Sequence, residues 1–132
     1  MNDIYITAAK RTAVGSLGKS LSKVSAHDLG SYVVSETLKF NNIDKNYVDE
    51  LIMGQVLTSA SGQNSARQAA IKSGIPKEKT AYVVNQVCGS GIRSIVSGYQ
   101  SIKSGDANIV VAGGQENMSL APHAIHLRNG KK

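Results

Sequence analysis

The alternation of strand-like and helix-like segments limits this chain more than any other feature. Apolar and β-branched runs stand at 4–9 (IYITAA), 51–57, 80–87 and 107–112, and stretches of helical spacing separate the last three. Ser25-x-x-Asp28 fits a capping box, with Asp in the place usually held by Glu or Gln. The helix that follows is expected to reach Phe40, with Leu29, Val33 and Phe40 on its apolar side and Asn41-Asn42 at its end. Asn64 can cap a second helix through Ser73, stopped by Gly74 and Pro76. A third is expected from Cys88 to Ser104, capped by Gly105. Its Ile92, Ile95, Val96, Tyr99 and Ile102 recur at spacings of three and four, the mark of an amphipathic helix. Residues 10–24 and 58–63 read as loops. The order β-α-β-α-β-α-β demands crossover connections, hence an α/β fold in α/β/α layers with a mostly parallel sheet. After Gly114 the alternation stops. The chain divides into a half-domain of four strands, 1–114, and a segment without strand or helix signals, 115–132.

Composition narrows the class further. With 132 residues there is room for one modest domain, and 41% hydrophobic against 18% charged residues excludes a disordered chain. One Phe and no Trp leave the core to Val, Ile, Leu and Ala. The net charge of +6 resides in the second half: residues 1–66 balance six basic against six acidic side chains, and 67–132 hold nine against three. The basic residues are dispersed, only Lys131-Lys132 being adjacent, and no basic–aromatic interleaving accompanies them. That pattern fits a solvated surface and speaks against nucleic acid as a partner. A single cysteine rules out an internal disulfide and a cysteine metal cage, so no metal is expected. No apolar run is long enough to span a bilayer and MNDIYITAAKRT has no secretory core, so a cytoplasmic chain without a membrane partner is expected.

Open α/β sheets bind ligands beyond the carboxyl ends of their strands. There the sequence reads Asn85-Gln86-Val87-Cys88-Gly89-Ser90-Gly91-Ile92. Cys88 falls at or next to a helix N-terminus, whose unpaired N–H groups favour negative charge and so the nucleophilic thiolate. Gly89 and Gly91 clear side chains from around the sulfur, so that backbone N–H groups can face an oxyanion. The same residues also suit a small buried hydrophobe followed by turn glycines. Residue types and spacing leave both readings open.

VNQVCGSGIRSIVSGYQSIKSGDANIVVAGGQENMSLAPH resembles the nucleophile region of thiolases. IYITAAKRTAVGSLGKSL and LIMGQVLTSASGQNSARQAAIKSGIP are similar to earlier parts of the same family, so the resemblance covers essentially the whole chain. It implies the N-terminal half of the thiolase fold. It also implies that Cys88 takes an acyl group as a thioester, with its own N–H as one oxyanion donor and Asn85, Gly89, Ser90 and Gly91 supporting the loop. The Gly-Ser-Gly and Glu-Asn-Met-Ser wording is closer to the family's acetyl-CoA acetyltransferases than to its degradative 3-ketoacyl-CoA thiolases. The reaction implied is reversible condensation of two acetyl-CoA to acetoacetyl-CoA and CoA. No cofactor would be held permanently, coenzyme A thioesters being substrates, and the residues that bind them are unassigned. The family oligomerises through the strand that is 80–87 here.

The resemblance also implies what is missing. The family's Gly-His-Pro histidine, its second cysteine and its Asn-Glu-Ala-Phe asparagine have no counterpart in this sequence. His27, His123 and His126 match none of those motifs. Glu116 and Asn117 are expected to hold the turn after the last strand, and Gly113-Gly114 to make a tight strand exit. The family's fifth strand, which runs antiparallel between the fourth and the first, is absent as well, which leaves open sheet edges and an apolar face uncovered. The expectation is a chain inactive by itself, its chemistry realised either in a longer parent or with a complementing C-terminal chain. The alternatives are a non-enzymatic remnant that serves as an interaction module, or a ketoacyl-synthase relative, which the Gly-Gly-Gln-Glu-Asn-Met wording disfavours.

Overall fold

A computed structural model describes residues 3–125 and 127. Three parallel strands, β1 (Glu50–Gly54), β2 (Thr80–Val84) and β3 (Val110–Gly114), form one sheet in the order β2-β1-β3. Helices α1 (Ala26–Phe40) and α2 (Ser65–Ser73) cover one face, and α3 (Ser90–Ser104) covers the other. From β1 the chain crosses by α2 to one neighbour. From β2 it crosses by α3, on the opposite face, to the neighbour on the far side. Crossovers in opposite directions on opposite faces share one hand, as parallel units require.

The helix ends follow local chemistry. Ser25 caps α1, its Oγ accepting the Asp28 N–H at 3.2 Å. Asn64 caps α2 by accepting the Arg67 N–H at 3.0 Å, and its amide reaches across to the Ala81 carbonyl. Gly74 and Gly105 close α2 and α3 in the left-handed region, at φ +85° each, where a side chain would be strained. The core lies between β1 and the α1/α2 layer. Val34, Leu38, Val48, Leu51, Met53, Ala66, Ala69, Ala70, Ile75 and Ala81 are buried in it.

Several boundaries and faces differ from the sequence reading. Residues 4–9 form no strand; Tyr5 and Ile6 are 76% and 81% exposed. A lone extended segment needs a ladder to join, and among the described residues the 4–9 segment pairs with no strand. The sheet therefore has three strands, not four. The 51–57 strand stops at Gly54, because the Val56 and Leu57 N–H groups turn to the Glu116 carboxylate. The 107–112 strand starts later, because the Asn108 and Ile109 N–H groups are held by the Asp49 carboxylate at 2.8 and 3.2 Å. It then continues through Gly113-Gly114, which pair with Met53 and Gly54 and so are strand rather than exit. Helix α1 buries Gly30, Val34 and Leu38, one turn-row over from Leu29 and Val33. Phe40 is exposed, with the Lys10 ammonium 3.8 Å above its ring.

Helix α3 is amphipathic in the opposite sense from an ordinary surface helix. The residues it turns to the sheet are Ser90, Ser94 and Gly98. Gly98 has no room for a side chain, since a Cβ there would come 2.9 Å from Val110 Cγ1. The fully buried Ser94 hydroxyl lies 2.7 Å from the carbonyl oxygens of both Gly91 and Gly113, tying the helix to β3. Ile92, Ile95, Val96 and Tyr99 point away from the sheet and are exposed.

Candidate active site

The third helix begins two residues after Cys88, not at it. Its first residue is Ser90, and Gly89 is the N-cap without a side-chain cap bond. The 80–87 strand likewise stops at Val84, and Gln55 N–H donates to the Val84 carbonyl just past the ladder. Between strand and helix stands a tight elbow. Gly89 N–H donates to the Gln86 carbonyl at 3.0 Å, which closes a turn with Val87 and Cys88 at its centre. Val87 has φ +51°, a left-handed conformation usually left to Gly, Asn or Asp. For a β-branched residue it costs about 1–3 kcal/mol and persists only where the surroundings enforce it.

Two side chains do so. Asn85 Oδ1 accepts the Val87 N–H at 3.0 Å, while its amide donates to the Val56 carbonyl at 3.2 Å. Ser90 Oγ accepts the Gln86 N–H at 2.8 Å and donates to the Val87 carbonyl at 2.6 Å. Ser90 can reach the elbow because α3 lies directly against β1. A Cβ on Gly54 would overlap the Ser90 carbonyl carbon. The loop-support residues Asn85, Gly89 and Ser90 thus all touch the elbow. A Cβ on Gly91 would meet nothing within 4 Å, and Gly91 makes no side-chain contact with the elbow. Cys88 itself is exposed and unpaired with any other cysteine.

Below the elbow, the residues that follow β1 and β3 meet. Gln55, almost fully buried, accepts from Ser65 Oγ at 2.5 Å and from Gln115 Nε2 at 2.9 Å, and donates to the Leu57 carbonyl. Gln115 Oε1 is buried with no hydrogen-bond partner, under a Gly30 whose missing Cβ is what admits it. Glu116 holds the turn after β1, as described above. Asn117 donates to the Leu21 and Val24 carbonyls and accepts the Ser119 and Leu120 N–H groups, which pins the loop before α1 to the end of β3. Asn117 holds the turn after β3, as expected, whereas Glu116 ties the turn after β1 instead.

His27 is in the first turn of α1 and lines a cavity of about 310 Å³ with Ser25, Gln55, Leu57, Asn117 and Pro122. His123 is exposed, and His126 lies outside the described residues, as do Lys131 and Lys132. A larger cavity of about 540 Å³ lies under the 11–22 loop. Cys88 lines neither, and stands at an open surface. Among the described residues no group of His, Cys, Asp and Glu is placed to hold a metal, and no helix is long and apolar enough to cross a membrane.

Sequence reasoning missed Val87, Gly54, Ser94 and the Gln55–Gln115 pair. Gly54, within a run otherwise suited to a strand, is the kind of residue that marks a close backbone approach. Nothing in the sequence marks Val87, since valine argues against the conformation it adopts.

Comparison with known proteins assigns the chain to a family. Residues 4–132 match the family described as "Thiolase, N-terminal domain". The chain belongs to the thiolase family. It is 52% identical over 132 residues to an acetyl-CoA acetyltransferase of Paracoccus denitrificans, covering all of this chain and 34% of that one. It is 46% identical over 129 residues to the cytosolic acetyl-CoA acetyltransferase of Rattus norvegicus, covering 98% and 32%. The fold agrees with solved thiolases. The Ascaris suum Acat5 thiolase, crystallised in complex with coenzyme A, superposes with TM-score 0.91 at 38% identity over 96% of this chain and 33% of that one. The Bacillus anthracis acetyl-CoA acetyltransferase gives 0.88 at 36% identity over 92% and 31%. The chain therefore spans about a third of the length of these thiolases.

Proposed function

We propose that this chain is the nucleophile-bearing third of an acetyl-CoA acetyltransferase. The observation that carries the reading is the exposed Cys88 on a strained, hydrogen-bonded elbow at the carboxyl end of the sheet, in a chain half identical to such enzymes. The Cys88 thiolate attacks the carbonyl carbon of acetyl-CoA. The oxyanion that forms collapses, a new sulfur–carbon bond remains on Cys88, and coenzyme A leaves as its thiolate and takes a proton. The backbone N–H of Cys88 is one donor that stabilises the oxyanion; those of Gln86, Val87, Gly89 and Ser90 are held within the elbow. In the second half-reaction the α-carbon of another acetyl-CoA, after losing a proton, displaces Cys88 and gives acetoacetyl-CoA.

That deprotonation needs a base, and the coenzyme needs a pocket. We assign both to a complementing C-terminal chain or segment, which the full cycle requires. The outward face of α3, with Ile92, Ile95, Val96 and Tyr99 exposed, is the surface such a segment would cover. The outer edge of β2, unpaired among the described residues, is the edge through which two copies would join. The place of action is the cytoplasm.

Co-expression with the C-terminal two thirds of the Paracoccus relative tests this reading. Acetoacetyl-CoA formation that appears only with both pieces, and disappears in Cys88→Ser, is the expected result. A folded complex with no activity, or activity that survives Cys88→Ser, would overturn it.

A further inference from the structure

Resting on the reading of Cys88 as the acyl acceptor, we propose that Val87 is a positioning residue whose left-handed backbone, locked by Asn85 and Ser90, sets the Cys88 N–H, the elbow's oxyanion donor, in register with the Cys88 sulfur. Among the described residues, four non-glycine residues have positive φ: Asn42, Ala60, Asn64 and Val87. Two are asparagines, which tolerate that region, and Ala60 is a small residue in an exposed loop. Val87 alone is β-branched. Its side chain offers nothing in return, being 64% exposed. A strained residue without compensating packing persists because its neighbours hold it, and here the hold is specific. Asn85 takes its N–H, and Ser90, itself nearly fully buried, takes its carbonyl and the preceding Gln86 N–H. Val87 precedes Cys88 directly, so its φ and ψ set the direction in which the next peptide and side chain leave the sheet.

Glycine at this position would relieve the strain and release the direction together. A merely structural turn would gain from that change; a positioning turn would lose function as it gained stability. Attack on a small haloacetamide needs only an exposed thiolate. Acyl transfer needs the thiolate and the oxyanion donor in register. The ratio of the two rates therefore reads alignment apart from thiol reactivity. A p-nitrophenyl ester as acyl donor makes the ratio independent of coenzyme A recognition.

The experiment compares the full chain with Val87→Gly, Asn85→Ala and Asn85→Asp. It measures Cys88 acetylation by p-nitrophenyl acetate, alkylation by iodoacetamide, and the melting temperature. Val87→Gly should melt about 4 °C higher and acetylate about tenfold more slowly relative to alkylation. Asn85→Ala should lower the same ratio, and Asn85→Asp, which keeps an acceptor for the Val87 N–H, should restore most of it. An acetylation-to-alkylation ratio within twofold of wild type in Val87→Gly overturns the proposal, as does a lower melting temperature in that variant. Absence of acetoacetyl-CoA formation by the complemented pair, with these ratios as expected, would count against the acetyltransferase reading and leave the alignment role standing.

Discussion

The two faces of the sheet are built on opposite plans. Toward α1 and α2, β1 presents Leu51 and Met53, which meet Val34, Leu38 and a row of α2 alanines in a sealed apolar core. Toward α3, it presents Ile52 and a glycine, and the helix answers with Ser90, Ser94 and Gly98. The first face is complete within this chain. The second trades apolar burial for close approach and leaves the helix's apolar residues facing outward. The buried core therefore lies on the α1/α2 side and the proposed nucleophile on the α3 side, where the nearness of helix to strand is what brings Ser90 to the elbow.

The sharpest way to break the contrast is to damage each face in turn. Leu51→Ala removes a fully buried side chain at the centre of the core, and urea denaturation should record a loss of about 3 kcal/mol. Next in size, Gly54→Ala forces α3 off the sheet, because backbone rather than a side-chain end is in the way. It should cost about 2 kcal/mol and disturb the Cys88 elbow as well, which thiol alkylation would register. Leu51→Ala, in the fraction that remains folded, should leave that alkylation rate unchanged.

Asp49 supports the lower rim of the sheet, and its contribution is readable by pH. Hydrogen bonds from the Asn108 N–H first, and also from the Ile109 N–H and Lys79, hold its carboxyl below the usual carboxylate value in spite of partial burial. A carboxylate depressed on folding adds stability that is present above its unfolded pKa and is lost as pH falls through the lower folded value. Asp49→Ala should therefore cost about 1–2 kcal/mol near neutrality, and the gap to wild type should close in strong acid. A gap that stays constant with pH would assign the effect to packing. The smallest effect belongs to the outward face of α3. Ile92→Ser should change the stability of the chain alone by less than about 0.5 kcal/mol, since Ile92 is 70% exposed, yet weaken assembly with a C-terminal segment.

The alternation of segments was enough to foresee the parallel sheet, the helices on both its faces and the caps at Ser25, Asn64, Gly74 and Gly105. These are set by neighbours a few residues apart. What escaped was set from farther away. Residues 4–9 have strand composition, but a strand exists only with a partner, and composition does not supply one. The ends of β1 and β3 are decided by Glu116 and Asp49, side chains about sixty positions distant in sequence from the backbone they hold. The α3 periodicity was legible as amphipathic, but which face meets the sheet depends on Gly54 and Gly98, where the absence of a side chain does the selecting. At the site, Cys88 and its flanking glycines stood out, and Val87 did not, because its conformation is imposed against its own preference.

The central claim is that the elbow by itself presents Cys88 as an acyl acceptor. The most direct measurement is intact mass of the folded chain after incubation with acetyl-CoA, with Cys88→Ser alongside. One added acetyl group, absent from the variant, is the predicted result. A folded chain that remains unmodified would contradict the claim and move the formation of the nucleophile site to the part of the thiolase that this chain does not span.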